Sequence, residues 1–272
     1  MLELEESSKI IEKIKYNKPL IHHITNYVSV NDCANIVLAL GGSPIMADDP
    51  KEVVEVVSKA SALVINIGTL NDKRVQSMLL AGRKANELGI PVILDPVGVG
   101  ASTFRKDTVN QLLKNIDFTV IRGNASEMQV LMNMNYSVAG VDSMDFGGNT
   151  PKMIRTLAQK YKTTVAITGA TDSICDGTTL ISVSNGHSLL SQVTGTGCMT
   201  TSLIATCLAV TDQALLAALA GVLIMDLAGE GAYASLKAHE SIGTFKVRIF
   251  DHIHQLTEQT ILEGGSLDVS YR

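Results

Sequence analysis

Short apolar runs that alternate with helical segments constrain the fold of this chain more than any other feature of its sequence. The runs at 62–68, 91–96, 117–122 and 164–168 are rich in Val, Ile and Leu, and helical patterns alternate with them. Continuous apolar runs of this length are typical of strands covered on both faces, and strands that alternate with helices form parallel sheets. The sequence therefore predicts a three-layer α/β/α fold with a mostly parallel central sheet.

The chain shows no linker, and we predict a single domain over residues 1–272. Hydrophobic residues make up 46% of it, which is ample for a sizeable core. A polar stretch at 135–149 predicts a surface loop, and an antiparallel edge of short strands is expected around 179–183 and 189–192. Residues 264–272 are expected to be a loose C-terminal tail.

Charge and hydropathy exclude several classes of function. The net charge is −5 with both signs interspersed, so the sequence contains no basic stripe for nucleic acid and no polybasic patch for a membrane. The N-terminal segment 1–16 lacks the apolar core of a signal peptide. The longest apolar run, 214–225, is too short to cross a bilayer and is followed by Asp226. We therefore expect a cytoplasmic protein with small-molecule partners and neither a nucleic-acid nor a membrane partner.

A glycine-rich segment at 193–202 immediately precedes the apolar run 203–210. The run predicts a buried helix, whose free N–H groups and positive dipole end point back at Gly195 and Gly197. Because glycine lets backbone approach a ligand closely, this segment predicts an anion-binding site. Cys198 falls in the first turn, where the same field is expected to favour its thiolate. A glycine turn that only starts a core helix is the alternative.

Polar residues collect near the ends of the predicted strands, namely Asp95, Arg122, Asn124, Glu127 and Thr168. Ligands of parallel α/β sheets bind outside the carboxyl ends of the strands, so these side chains are expected at one site. Arg122 is a permanent cation suited to phosphate, and Asp95 and Glu127 are able to hold Mg²⁺ directly or through water. Together with the glycine segment they predict phosphoryl transfer, in which catalysis is mostly positioning and charge stabilisation.

Each charged residue also has a purely structural interpretation. Asp95 could stabilise a turn, Arg122 could pair with a surface carboxylate, and Glu127 could favour the first turn of a helix.

Two other nucleotide-binding motifs are excluded. The glycine pair at 98 and 100 lacks the third glycine of G-x-G-x-x-G, and the sequence contains no G-x-x-x-x-G-K-[ST].

Five segments together resemble the hydroxyethylthiazole kinase family, and the resemblance extends over nearly the whole chain. It implies a single ribokinase-like domain that uses ATP and Mg²⁺ to phosphorylate the primary alcohol of 4-methyl-5-(2-hydroxyethyl)thiazole, a step of thiamine synthesis and salvage. It also implies a homotrimer with active sites at subunit interfaces. The matching segments are 24–28 (ITNYV), 42–46 (GSPIM), 94–98 (LDPVG), 122–127 (RGNASE) and 195–198 (GTGC).

The resemblance implies roles for individual residues. The wider ribokinase-like superfamily has Asp where this chain has Cys198, and that Asp takes the proton of the substrate hydroxyl. Because a loose transition state does not require early deprotonation, we hypothesise that Cys198 positions the hydroxyl and helps only modestly as a base. The implied nucleotide contacts are Arg122, Thr168, Asn124 and Gly197, the implied thiazole contacts are Met46, Gly195 and Asn26, and the implied metal ligands are Asp95 and Glu127.

Three other functions are compatible with parts of this pattern. Another ribokinase-like vitamin kinase would act on hydroxymethylpyrimidine or pyridoxal, although Cys198 and the block from 24 to 46 argue against it. A lyase similar to the ATP-dependent dehydratase of hydrated nicotinamide cofactors would keep the nucleotide site but release no phosphorylated substrate. A binding protein without activity is disfavoured by the complete set of charged residues.

Overall fold

A computed structural model describes residues 2–134 and 150–271 of the protein. The strands in these ranges are β1 (Leu20–Ile24), β2 (Ser43–Met46), β3 (Ala62–Asn66), β4 (Val92–Asp95), β5 (Val120–Asn124), β6 (Thr164–Thr168), β7 (Asp172–Cys175), β8 (Leu180–Val183) and β9 (Leu267–Ser270). They form one sheet in the order β2-β1-β3-β4-β5-β6-β7-β8-β9. Strands β1 to β6 pair in parallel, whereas β7 to β9 extend the sheet in antiparallel fashion. The mostly parallel sheet predicted from the apolar runs is confirmed.

Helices cover both faces of this sheet. Alternate residues of a buried strand point to opposite faces, and in β3 Val64 belongs to one apolar cluster and Ile65 to the other. The architecture is therefore three-layer α/β/α, as predicted. The helices of the described ranges are α1 (Leu2–Ser8), α2 (Ile10–Asn17), α3 (Val30–Leu40), α4 (Val53–Val57), α5 (Asp72–Glu87), α6 (Thr103–Asn115), α7 (Ala125–Asn133), α8 (Thr150–Tyr161), α9 (Thr196–Leu208), α10 (Ala214–Ala234), α11 (Ile242–Gln255) and α12 (Glu258–Gly264).

Helix α10 is apolar on nearly all sides because it lies inside one helical layer, packed between α9 and α11. A Cβ atom at Gly221 would lie 2.6 Å from the backbone nitrogen of Ile204, so glycine permits the close approach to α9. The helix continues well beyond residue 225, and among the described residues it alone is long and apolar enough to cross a membrane. The prediction that the apolar run at 214–225 is too short to cross a bilayer is therefore wrong. However, 72% of the apolar 18-residue stretch of α10 is buried within the protein.

Three expectations about loops and edges have different outcomes. Strand β8 confirms the first part of the predicted antiparallel edge, but Ser188–Gln192 forms a 3₁₀ helix instead of a strand. Four of the nine residues of the expected loose tail form strand β9, whose Leu267 and Val269 pack on the core while the residues between and after them are exposed. This alternation is too short to stand out in the sequence. The loop predicted at 135–149 lies outside the described residues.

Candidate active site

The carboxyl ends of four neighbouring strands bring the predicted polar residues to one edge of the sheet. In parallel register, Asn66 of β3 lies beside Asp95 of β4, and Asn124 of β5 lies beside Thr168 of β6. Helix α9 packs across β3 and β4, with its N-terminus at the same edge. The edge therefore combines the anion-binding helix start with the charged side chains, as the strand pattern predicted.

Arg122 organises one end of this site. Its side chain is largely buried, and Nη2 donates a hydrogen bond to Oγ1 of Thr168. A Cβ atom at Gly197 would lie 2.5 Å from Nη1 of Arg122, so any larger residue at 197 would require the guanidinium to shift. Both residues line a cavity of about 700 Å³ together with Asn124 and Thr168. The structure thus brings the four predicted nucleotide contacts to one cavity, whose size is that of a small-molecule site.

Asp95 is fully buried next to this cavity. Its Oδ2 atom accepts hydrogen bonds from Nδ2 of Asn66 (2.8 Å) and Oγ1 of Thr201 (2.9 Å), whereas Oδ1 has no partner among the described residues. Burial raises the pKa of Asp95 to about 6, an effect that the charge of Arg122 opposes and that of Glu127 reinforces. An unpartnered buried carboxylate oxygen is a position at which a cation would be favourable.

Glu127 is held by backbone amides. Its Oε2 atom accepts from the N–H of Asn124 and its Oε1 atom from the N–H of Gly98, each at 2.8 Å. In return, Oδ1 of Asn124 accepts from the N–H of Glu127, which completes a capping box at the start of α7. Glu127 therefore has the structural role that the sequence left open, and contact with a metal remains a prediction.

The donor set at this edge matches the preferences of Mg²⁺. Among the described residues no three His, Cys, Asp or Glu side chains converge as a metal site. Mg²⁺ does not need such a cluster, because it usually keeps several waters and takes one or two carboxylates plus phosphate oxygens. Asp95 fits as a direct ligand, and Glu127 fits as a ligand through water.

Cys198 is surrounded by amide groups in the first turn of α9. Nδ2 of Asn66 and Nδ2 of Asn26 donate to its sulfur at 3.3 and 3.4 Å. Burial raises the pKa of the Cys198 thiol, and the charge of Asp95 raises it further, although the amide donors act in the opposite direction. The expectation that the helix start favours the thiolate is therefore wrong, because burial and a neighbouring carboxylate outweigh the helix field.

The predicted thiazole contacts lie on the Cys198 side of the edge. Oδ1 of Asn26 accepts from the N–H groups of Val28 and Ser29 (3.0 Å each), which fixes its amide toward Cys198. Gly195 has a φ of +93°, a conformation that favours glycine, and immediately precedes α9. Met46 ends the edge strand β2 and is half-buried. These contacts do not line the cavity that contains Arg122.

Sequence reasoning missed four polar residues of this edge. Asn66 is the one polar residue in the run 62–67, and this interruption was the available signal. Thr201 gave no signal, because hydroxyl residues are common near helix starts. Asp172 follows a predicted strand in a segment typical of turns, and Asp226 in the sequence only ends an apolar run, yet both line the cavity.

The fold and this edge define the class of the protein. A ribokinase-like superfamily protein from Enterococcus faecalis superposes on 92% of the chain, and on 95% of its own, with a TM-score of 0.63 at 14% identity. At that identity the likeness concerns the fold alone. The chain thus has the ribokinase-like α/β/α fold, with polar groups at the edge where proteins of open α/β sheets bind their ligands.

The particular family follows from closer similarity. Residues 11–259 match the hydroxyethylthiazole kinase family, and the chain belongs to that family. It is 49% identical over 264 residues to the hydroxyethylthiazole kinase of Alkaliphilus oremlandii, with 97% of each chain covered. The structure of a hydroxyethylthiazole kinase from Pyrococcus horikoshii is 36% identical, covers 97% of this chain and 99% of its own, and has a TM-score of 0.88. The resemblance inferred from five short segments is confirmed.

Proposed function

We propose that this chain transfers the γ-phosphoryl group of ATP to the hydroxyl of 4-methyl-5-(2-hydroxyethyl)thiazole, with Mg²⁺, in thiamine biosynthesis or salvage. The observation that carries the proposal is the position of Asp95 between two groups of residues. It interacts electrostatically with Arg122 beside the cavity, and through Asn66 it connects to the sulfur of Cys198. A phosphate donor and an alcohol acceptor bound on the two sides of Asp95 would meet at the N-terminus of α9.

The nucleotide would occupy the cavity with its phosphates toward the helix start. Arg122 supplies the positive charge, and Thr168 holds its guanidinium in place. Asn124 and Gly197 complete this wall, Gly197 because its missing side chain leaves room for Arg122. Mg²⁺, held by Asp95 and through water by Glu127, would neutralise the phosphate charge that develops during transfer.

The alcohol would bind beside Asn26, Met46 and Gly195. In the reaction the hydroxyl oxygen forms a bond to the γ-phosphorus, the bond to the bridging oxygen of ADP breaks, and the hydroxyl proton passes late in the transfer to an oxygen of the transferred phosphoryl group or to water. Cys198 positions that hydroxyl, and its raised pKa limits its contribution as a base at neutral pH. The N–H groups at the start of α9 stabilise the negative charge on the transferred group.

We further propose that the chain acts as one cytoplasmic domain and assembles into a homotrimer with active sites at subunit interfaces. One observation supports a contact surface on the alcohol side. Tyr27 and Val28 directly follow Asn26 and are 70% and 58% exposed, and contiguous exposed apolar groups are typical of interaction surfaces. Light scattering coupled to size exclusion measures the mass of the particle, and a monomer would contradict the trimer.

The first experiment is an ADP-release assay with Mg-ATP, in which hydroxyethylthiazole, hydroxymethylpyrimidine, pyridoxal and hydrated NADH are offered separately and products are identified by mass. We expect phosphate on the thiazole alcohol alone. Phosphorylation of hydroxymethylpyrimidine or pyridoxal instead would support the proposed nucleotide site but refute the thiazole as the acceptor. Dehydration of the cofactor without a phosphorylated product would overturn the kinase reaction itself.

A further inference from the structure

Two buried carboxyl groups face each other in the wall of the Arg122 cavity. Asp172 begins β7 and Asp226 lies in the middle of α10, and they are only 4% and 7% exposed. The two groups are close enough for the acid form of Asp226 to hydrogen-bond to the carboxylate of Asp172. Oδ1 of Asp172 already accepts the N–H of Gly169 (2.7 Å), whereas Oδ2 of Asp226 is buried and receives no hydrogen bond from any described residue.

This orphan oxygen has a simple physical explanation. Two ionised carboxylates in contact and shielded from water repel each other strongly, and such pairs hold one proton between them. With that proton, Asp226 becomes a donor to Asp172, and both groups are satisfied. Burial is the main cause that raises the pKa of Asp226, to about 10, followed by the charges of Asp172 and Glu230, while Arg122 opposes the shift.

The charged groups around Asp226 come from three elements. Asp172 approaches from β7 and Arg122 from β5, and Glu230 lies one turn further along α10. Glu230 is already occupied, because its Oε1 atom accepts from the N–H of Gly186 and from Nδ2 of Asn185. His187 also lines the cavity, and the carboxylates that remain to be balanced there are those of the two aspartates, which face Arg122.

We propose that Asp172 and Asp226 share one proton and act as a charge-setting pair that lets an anionic nucleotide bind in this cavity. The inference rests on the proposed function, because it takes a nucleotide as the ligand. With one shared proton, the single charge of the pair is balanced by Arg122. Without the proton, an additional negative charge faces the phosphates. The pair also positions the cavity wall, because Asp172 holds Gly169 and Asp226 lies against Gly186.

The test is the pH dependence of ADP binding, measured by calorimetry in metal-free buffer so that neither Mg²⁺ nor the acceptor alcohol is involved. We compare the unaltered protein with D226N and D172N from about pH 7.5 to about pH 10.5. Either amide is isosteric, donates to the remaining carboxylate and has no proton to lose. At an effective dielectric of about 20, one extra buried charge in the same cavity should weaken ADP binding about tenfold.

We expect the unaltered protein to lose about tenfold in ADP affinity as the pH rises through about 10. D226N should follow only the shallow slope that other groups impose, whereas D172N should lose affinity at a lower pH, because its buried Asp226 still titrates but no longer faces the charge of Asp172. Having both variants keeps the test decisive if one of them folds poorly. If ADP affinity depends on pH in the same way in all three proteins, the proposal of a shared proton is refuted, whereas the proposed thiazole kinase activity is unaffected. Failure of ADP to bind at neutral pH would overturn this inference and the nucleotide site together. Divergent curves in a protein that does not phosphorylate thiazole would support the pair and refute the proposed acceptor.

Discussion

The two ends of the site at the sheet edge differ in electrostatic character. The cavity end contains full charges, with Arg122 opposite the Asp172–Asp226 pair. The end around Cys198 is built from neutral amides, in which Asn26 and Asn66 donate to a buried sulfur. Full charges suit a polyphosphate, whereas neutral dipoles suit an alcohol that remains uncharged until transfer. The two ends of this edge therefore differ in the chemistry of the group that each would favour.

Removing Arg122 should break the charged end alone. We expect R122A to lower kcat/KM for ATP about a thousandfold, because it removes the charge-assisted contacts of the phosphates, and to leave KM for the thiazole within about twofold. G197A is the matched variant, since the added Cβ would lie 2.5 Å from Nη1 of Arg122 and displace it. Steady-state kinetics in both substrates provide the measurement. If KM for ATP and KM for the thiazole increase by the same factor, the separation of the two ends is refuted.

Removing the sulfur should affect the neutral end alone. We expect C198A to lower kcat about a hundredfold without changing ADP affinity, because the acceptor hydroxyl loses its positioning group. The thiol pKa lies above its ordinary value of 9.0. If the sulfur acts as a base, the rate of the unaltered protein should climb as the pH passes 9, and the rate of C198A should not. A loss below about tenfold would eliminate the base role.

Asp95 lies between the two ends, and its burial should cost stability. Because its pKa is raised from 3.8 to about 6, the contribution of the protonated form is complete below pH 3.8 and is lost as the pH rises through 6. We therefore expect D95N, without ligands, to raise the free energy of unfolding by about 1–3 kcal/mol at neutral pH and by little near pH 4. Urea unfolding at both pH values provides the measurement. A destabilised D95N at neutral pH would contradict this account.

Asn66 should have the smallest effect, because it supports other groups. N66A removes one donor from Cys198 and one from Asp95, and we expect a loss of about tenfold in kcat. T201V is the control, because Thr201 donates to Asp95 and not to Cys198. If T201V matches N66A, Asn66 acts through Asp95. If only N66A is impaired, with KM for ATP unchanged, Asn66 acts by holding the sulfur.

The fold was predictable where the signal is local. Strand β6 occupies 164–168, the apolar run from which it was predicted, and the helix start at Gly195 was recognisable from its glycines. Strand β9 was missed because its register depends on pairing with β8, which the four residues 267–270 do not reveal.

The site was predictable where a motif is contiguous in the chain. The hydrogen bond from Thr201 to Asp95 spans 106 positions, and that from Asn66 to Cys198 spans 132. At these separations the sequence does not indicate which residues will be partners. The protonation preference of Cys198 was misjudged for the same reason. The helix field can be read from the sequence, whereas burial and the proximity of Asp95 appear only in the folded chain.

The contact between Arg122 and Gly197 couples two distant segments of the chain. Because a Cβ atom at 197 would lie 2.5 Å from Nη1 of Arg122, a side chain added at 197 requires the guanidinium to move. Two motifs 75 positions apart in the printed sequence therefore share one volume in the folded chain.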